Sequence, residues 1–485
     1  MPRIVFRADA GLAIGAGHAM RCLALASHFI EGGWLVGFAA SAETFTSVEA
    51  LGSAPVERLE FKGAMQEEPK TLAQRWPKVD VLVVDHYGRD AAFERACRAF
   101  AKRIVVIDDL ADRKHDADVL VDGAAGSVAA YGDLVPASCR ILAGPAYAVV
   151  HPEFRRSRER ALAHCVGKAV ERVLISFGQI DPKNATLQAL AALEVAGFKG
   201  KVDVVLGRAA PHLDEVRAKA GGRVRLHVDA PNMAALMSEA DLAVGAGGTT
   251  AWERCCLGLP SIIVTLADNQ RHIVSAVSKA GAASDAGPLD GGLDRRIADA
   301  LSDLAADGAR RARMAKAGAA LVDGRGSERV VLAAIGPVVT KEGRTVTLRL
   351  AELGDEAWLL ALQVKPETRQ FANDSAIPTA SEHARWLRCT LDDPTRLLAI
   401  LESDCQPAGM LRLDRAAKVH RVSIAIDPAH HRSGIGSAGL EWAARIAPGH
   451  ALEAQVLPSN KASLALFQAA GYRHVAEDLY RREPA

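Results

Sequence analysis

Three stretches of this chain combine glycines with side chains that hold or move protons. The first is Gly15-Ala16-Gly17-His18, between the apolar run Ile4–Arg7 and a helical pattern over His18–Glu31. Gly15 and Gly17 allow a tight turn and close approach of backbone to a ligand. A neutral imidazole at position 18 can take a proton from water. The plainer reading is a tight loop in which His18 opens a helix.

The second stretch, Gly245–Gln270, reads GAGGTTAWERCCLGLPSIIVTLADNQ. Gly247, Gly248 and Thr249 follow a short apolar strand and lead into a helix, an arrangement whose bare amides accept anions. Thr250 and Glu253 have the spacing of a capping box. Alternatively, the two oxygens of Glu253 accept vicinal ribose hydroxyls. Asn269 and Gln270 follow the next strand, either to bond sugar or phosphate or to form a turn. Ser176-Phe177-Gly178 ends another strand in the same manner. Asp85, His86, Asp108 and Asp109 stand at strand ends and are open to three readings: metal, substrate or helix capping. With no H-E-x-x-H present, no metal site is expected. His151 and His272 are read as structural.

The third stretch, His430–Gly436, reads HHRSGIG after the β-branched run Val419–Ile426 and before a helix through Leu440 and Trp442. His431, Arg432, Gly434 and Gly436 make a turn dense in amides that can hold a pyrophosphate.

The elements that position these turns alternate along the chain. Short apolar runs without polar alternation at Ile4–Arg7, Trp34–Ala39, Val79–Val84, Arg103–Ile107 and Val119–Val121 predict buried parallel strands between helices. Pro145 and Pro152 bracket a connector, and a basic run, Arg155–Arg160, follows it. A second series follows, with strands at Arg172–Phe177, Lys201–Leu206, Val224–Val228 and Leu242–Gly245, and two closing helices within Asp303–Val331. The fold class is therefore α/β: two Rossmann-like lobes, residues 1–155 and 165–335, with ligands outside the strand ends. Gly336–Gly343 reads as a linker. Residues 344–485 then form an α+β domain with an antiparallel middle.

Composition bounds the function. A chain of 485 residues needs more than one core. The net charge of +1 argues against a nucleic-acid surface built on bulk charge. Few aromatics, 5%, argue against base-stacking platforms. No apolar stretch reaches spanning length, and the opening MPRIVFRADAG lacks a signal-like segment. The eight cysteines are scattered without C-x-x-C spacing, so neither disulfides nor structural zinc are expected. A soluble cytoplasmic protein without membrane or nucleic-acid partners is the expectation. No acid stands at the end of the second strand, which excludes a dinucleotide fingerprint.

FRADAGLAIGAGHAMRCLALA paired with GAGGTTAWERCCLGLPSIIVTLADNQ resembles the UDP-sugar hydrolase of pseudaminic acid biosynthesis. That family is related to the GT-B glycosyltransferase that attaches N-acetylglucosamine in peptidoglycan precursor synthesis. The resemblance implies a GT-B fold over residues 1–330, His18 as catalytic histidine and Glu253 as ribose ligand. It implies that Gly15, Gly17, Gly247, Gly248, Thr249, Asn269 and Gln270 bind the UDP-sugar. Gln179 departs from it, since relatives carry a glycine there. The implied reaction is hydrolysis of UDP-2,4-diacetamido-2,4,6-trideoxy-β-L-altropyranose to UDP and free sugar, without metal, in a pathway serving flagellin glycosylation.

HHRSGIG with NKASLALFQAAGY, residues 460–472, resembles the acetyl-CoA core of GNAT N-acetyltransferases. That resemblance implies acetyl-CoA as co-substrate, held by His431, Arg432, Gly434, Gly436 and Asn460. Phe467 stands where many members have a general-acid tyrosine, and SEHARW, residues 381–386, either resembles a substrate-side segment of the same pathway's acetyltransferase or is a plain amphipathic helix. The implied acceptor is the 4-amino group of UDP-4-amino-4,6-dideoxy-N-acetyl-β-L-altrosamine. A bifunctional enzyme is thus expected. The alternatives are a GT-B glycosyltransferase with an accessory acetyltransferase, and a non-enzymatic nucleotide-sugar sensor or scaffold.

Overall fold

The computed structural model describes residues 1–12, 14–124, 128–164, 169–372, 376–416 and 419–484. They form two compact units. One is Arg3–His28 with Val36–Val330; the other is Met1–Pro2 and Phe29–Leu35 with Val331–Ala485.

The first unit holds two sheets. β1 (Arg3–Ala8), β2 (Leu35–Ser41), β3 (Glu57–Phe61), β4 (Val79–Asp85), β5 (Ala101–Ile107), β6 (Val119–Asp122) and β7 (Arg140–Ala143) are ordered 3-2-1-4-5-6-7. β8 (Arg172–Ser176), β9 (Lys201–Leu206), β10 (Val224–Val228), β11 (Leu242–Ala246), β12 (Ser261–Thr265) and β13 (Ala283–Pro288) are ordered 10-9-8-11-12-13. Pairings β1–β4, β4–β5, β8–β11 and β11–β12 are parallel. Ile4, Val5, Phe6, Leu82 and Val83 have no exposed surface, as strands covered on both faces require. The expected α/β class is observed.

Both sheets reverse direction of growth once, between β1 and β4 and between β8 and β11. Crevices open outside the strand ends at such points. The loops that carry His18 and Asp85 leave one of them, and those that carry Ser176 and Gly247 leave the other.

Pro152–His164 is a helix whose Phe154 and Ala161 join a core with Ala148, Val150, Trp252 and Leu257. Its basic run is used inward as well: Arg158 donates to the carbonyl oxygens of Val322 at 2.9 Å and Ala319 at 2.6 Å. Two helices, Gly308–Leu321 and Gly326–Ile335, begin within Asp303–Val331, where two closing ones are expected, and Leu293–Ala306 precedes them. Gly308 restarts the chain after Asp307, which caps Arg310 N at 2.8 Å, and this turns one alanine-rich run into separate helices.

The second unit is built on one mixed sheet of β14 (Val338–Val339), β15 (Thr345–Leu350), β16 (Arg396–Ser403), β17 (Gln406–Ala416), β18 (Val419–Ile426), β19 (Ala451–Gln455), β20 (Arg473–Ala476) and β21 (Leu479–Arg482), ordered 14-15-16-17-18-19-21-20. Val338 and Val339 pair with Val346 and Thr345, so the stretch read as a linker is an edge strand. β15 to β18 are antiparallel, and β18 pairs parallel with β19 only from Val419 to Arg421. Past Arg421 the pairing of β18 with β19 stops, and this gap in the ladder is the notch between them. Trp34 belongs to this unit, its Nε1 donating to the Arg445 carbonyl at 3.0 Å.

Candidate active sites

His18 sits in the first turn of the helix Gly17–Gly32, which follows β1. Gly11 and Gly15 close the preceding loop by two mutual backbone hydrogen bonds, 3.1 and 2.8 Å. Gly15 has φ of 75°, a conformation that favours glycine. His18, Arg21 and Cys22 share one helix face by their spacing of three and four residues, and all three reach Asp85 at the end of β4. His18 Nδ1 lies 2.5 Å from Asp85 Oδ1. Arg21 donates from Nε to Asp85 Oδ2 at 2.5 Å, from Nη2 to Oδ1 at 2.7 Å and from Nη1 to Asp109 Oδ2 at 2.9 Å.

Asp85 is fully buried. Burial alone pushes its carboxyl up, but the charges and hydrogen bonds of Arg21 and His18 outweigh this and hold it well below the usual carboxylate range. An ionised carboxylate only accepts, so His18 Nδ1 carries the proton. Its Nε2 is then the ring nitrogen left for substrate or water. Tyr87 packs edge-on against the imidazole, ring centroids 4.4 Å apart.

His18, Asp85 and Tyr87 line a cavity of about 230 Å³ together with Asp9, Ser41, Glu43 and His86. Asp9 accepts from Ser41 N at 2.8 Å and Arg7 Nη2 at 2.9 Å, and lies 3.0 Å from His86 Nε2. Burial, with Arg7 and Arg89 nearby, lowers the pKa of His86 despite Asp9. Of the rim acids left open by sequence, Asp85 and Asp109 bracket Arg21. Asp108 is structural, capping Ala111 N at 2.9 Å and accepting from the Tyr131 hydroxyl at 3.1 Å. His151 is held between Ser27 and its own turn, while His272 is exposed. Among the described residues no group of three or more His, Cys, Asp or Glu is placed to hold a metal ion.

The second glycine turn faces this cluster. Asn269 Nδ2 donates to the Tyr87 hydroxyl at 2.8 Å, and Gln179 Nε2 reaches Met20 Sδ at 3.7 Å. Gly247 does not offer its amide to a ligand: it donates to the Val264 carbonyl at 3.0 Å. Its place is steric, since a Cβ there would lie 2.3 Å from Val274 Cγ2. Gly247→Ala is accordingly expected to cost about 1–3 kcal/mol by overpacking, measured as a lower denaturation midpoint at unchanged denaturant slope. Gly248 and Thr249 then carry the available amides. Gln270 is anchored by Leu266 N, which donates to Oε1 at 3.0 Å, and its Nε2 points towards Gly248.

The capping box is absent: the helix Thr250–Cys256 has no side-chain cap. Burial pushes the Glu253 carboxyl up to about 7, with Arg254 opposing and Glu153 adding. Hydroxyl donors favour the ionised form, so a ligand that bonds Glu253 lowers this pKa and binds more tightly as pH rises through about 7. For a ligand whose hydroxyls bond Glu253, with UDP as the probe, affinity is expected to be about tenfold weaker at pH 6 than on its plateau above pH 8. Titration calorimetry of wild type and Glu253→Gln checks this, the variant losing the pH dependence.

In the second unit the turn after β18 is locked by Asp427, which caps Ala429 N at 3.0 Å and accepts from Lys365 Nζ at 2.8 Å. Arg432 has φ of 60° and Gly434 of 81°, and the helix Ile435–Ile446 starts there. His431 and Arg432 line an open cavity of about 620 Å³ with Arg344 and Glu342. Gly436 lets that helix approach Leu466, whose Cδ2 would be 3.0 Å from a Cβ. Asn460 caps the helix Lys461–Ala469, its Oδ1 accepting from Ser463 N at 3.0 Å. Phe467 packs edge-on against Tyr472, ring centroids 4.9 Å apart.

Asp85, Arg21, Asp109 and Tyr87 are the residues that sequence reasoning did not join to His18. A histidine and an arginine one turn apart after a glycine loop were visible. That β1 and β4 are neighbours was not.

Comparison with known proteins agrees with this division. Residues 192–325 match the glycosyltransferase family 28 C-terminal domain, and residues 363–472 the Acetyltransferase (GNAT) family. The chain is 27% identical over 335 residues to the spore coat polysaccharide biosynthesis protein SpsG of Bacillus subtilis, covering 67% of this chain and 95% of that protein. It is 24% identical over 286 residues to the UDP-2,4-diacetamido-2,4,6-trideoxy-beta-L-altropyranose hydrolase of Campylobacter jejuni, covering 58% and 97%. Among solved structures, Acinetobacter baumannii MurG aligns over 68% of this chain and 98% of its own, at 16% identity and a TM-score of 0.45. No helix among the described residues is long and apolar enough to cross a membrane.

Proposed function

We propose that this chain, a glycosyltransferase-28-like unit joined to a GNAT acetyltransferase domain, is a bifunctional enzyme acting on UDP-amino sugars. Its first unit hydrolyses UDP-2,4-diacetamido-2,4,6-trideoxy-β-L-altropyranose to UDP and free sugar. Its GNAT unit transfers acetyl from acetyl-CoA to the 4-amino group of the precursor UDP-4-amino-4,6-dideoxy-N-acetyl-β-L-altrosamine. The observation that carries the hydrolase reading is the His18–Asp85 pair on a cavity whose Tyr87 is bonded by Asn269 from the glycine-turn side.

Water needs a base beside the anomeric carbon, and the leaving diphosphate needs donors. His18 Nε2 takes the proton as water attacks, and the imidazolium that forms is stabilised by ionised Asp85. The C–O bond to UDP breaks, and the charge gathering on the diphosphate falls to the amides of Gly248 and Thr249 and the amide group of Gln270. Glu253 accepts the ribose hydroxyls. On the GNAT side, the notch between β18 and β19 receives the thioester arm, with the turn His431–Gly436 at the pyrophosphate. Arg432 is the charged donor there, and the capped Asn460 offers only its Nδ2 to the cofactor.

The test incubates purified protein with the UDP-amino sugar, with and without acetyl-CoA, and follows products by mass spectrometry. The expected result is an acetyl gain, then UDP and free diacetamido sugar. A sugar conjugate that appears only with an added acceptor would make the first unit a glycosyltransferase. Ligand binding without either turnover would reduce the chain to a sensor.

A further inference from the structure

The turn that joins β14 to β15 stands against the turn that follows β18. Thr340 N donates to the Arg344 carbonyl at 2.8 Å, and Arg344 N donates to Thr340 Oγ1 at 3.2 Å, so both backbone polar groups of Arg344 are bonded. Gly343, with φ of 80°, closes the turn by donating to the Thr340 carbonyl at 3.0 Å. On its other side the turn meets Gly434, where a Cβ would lie 2.8 Å from Thr340 Cβ and 2.5 Å from Glu342 Oε2. The bare backbone at 434 is what lets this hairpin reach the start of the helix Ile435–Ile446.

Between the two turns lies the open cavity of about 620 Å³, lined by Glu342, Arg344, Asp404, His431, Arg432 and Ser433. Asp404 comes from the two-residue turn between Ser403 and Gln406, where it and Cys405 have φ of 53° and 59°. Arg344 is pinned at its backbone but loosely engaged at its tip. Its Nη1 is 3.8 Å from Asp404 Oδ2, beyond hydrogen-bond distance, and the two side chains are 48% and 82% exposed. The guanidinium is therefore open to an anion in the cavity.

We propose that Arg344 binds the 3′-phosphate of acetyl-CoA, an inference that rests on the acetyltransferase reading. With the cofactor's pyrophosphate at the turn His431–Gly436 and Arg432, its remaining anion is the phosphate monoester on the ribose, which carries close to two charges at neutral pH. Arg344 is the cation that a second element brings to the same cavity, and its planar fork matches phosphate oxygens. Bulk charge does not make the selection, because Glu342 and Asp404 on the same walls offset Arg344 and Arg432. The selection comes from the fork, and Glu342 opposes it. The stretch read from sequence as a linker then forms one wall of the cofactor site.

The experiment titrates full-length wild type, Arg344→Gln and Glu342→Gln with CoA and with 3′-dephospho-CoA by calorimetry. Wild type is expected to bind CoA about tenfold more tightly than 3′-dephospho-CoA, the usual value of a hydrogen bond to a charged group. In Arg344→Gln the ratio should fall to about one while affinity for 3′-dephospho-CoA stays at the wild-type value. In Glu342→Gln the ratio should widen by about threefold, since an opposing charge is gone. Opposite signs in two neighbouring variants are not produced by a loosened fold. A wild type that binds the two nucleotides equally overturns the proposal and leaves the acetyltransferase reading intact. So does an Arg344→Gln that keeps the wild-type ratio, or that weakens both nucleotides alike. A wild type that binds neither nucleotide removes the proposal and the acetyltransferase reading together.

Discussion

His18→Ala is expected to lower UDP release from the nucleotide sugar by about 10²–10⁴-fold, the usual range for losing a general base, while UDP-sugar affinity changes little. The expectation follows from division of labour around the cavity. His18 lines the cavity with Nδ1 committed to Asp85, and in the proposed reaction Nε2 meets the attacking water. In the proposed reading, binding depends on other groups: Glu253 for ribose, and the Gly248–Thr249 amides with Gln270 for phosphate. Single-turnover release of UDP, beside calorimetric titration with a non-hydrolysable analogue, separates the two effects. Near-normal turnover would take His18 out of the chemistry. An equal loss of affinity and turnover would make it a binding residue.

Asp85→Asn is expected to cost nearly as much in rate, about 10³-fold, because Asp85 is fully buried and acts through His18. An amide at position 85 offers both a donor and an acceptor, so it no longer dictates which imidazole nitrogen carries the proton. It also withdraws the negative charge that stabilises the imidazolium, and this is the logic by which a buried carboxylate supports a catalytic histidine. Because both residues act in one step, the double variant His18→Ala/Asp85→Asn should be no slower than His18→Ala alone. Multiplying losses would sink the coupling.

Asp85 also holds Arg21, so a purely structural role makes a different prediction. There the melting temperature would fall while kcat of the folded fraction stayed near wild type. Arg21 has a second partner in Asp109, 2.9 Å away, which limits the structural loss expected of the variant. The acid side gives a second check. A carboxyl held low contributes stability above its unfolded value of 3.8 and loses it progressively as pH falls below that value. Asp85→Asn should therefore flatten the acid limb of unfolding and leave stability less dependent on pH there.

Much of this molecule was legible in one dimension because its signals are local. Unbroken apolar runs such as Val79–Val84 marked buried parallel strands, and glycine turns between strand and helix marked His18, Gly248 and the turn at Gly434. The antiparallel middle of the second unit followed from short alternating runs with tight turns. Other elements carried no local mark. Val338–Val339 is two residues long and becomes a strand only because Thr345 and Val346 lie beside it. Glu253 had the spacing of a capping box, yet its environment, not its spacing, left the helix uncapped and raised its pKa.

Residue identity and spacing by themselves determined which side chains bear chemistry, because a turn of glycines or a histidine one helical turn before an arginine is set within a few bonds. Tertiary structure alone decided their partners. Asp85 is 67 residues from His18, and the two meet because the chain crosses over to lay β4 beside β1. The same holds for Tyr87 with Asn269, 182 residues apart, and for Gly247, whose amide goes to Val264 and not to a ligand. Strand order and packing depend on every element at once, and no short stretch of sequence contains them.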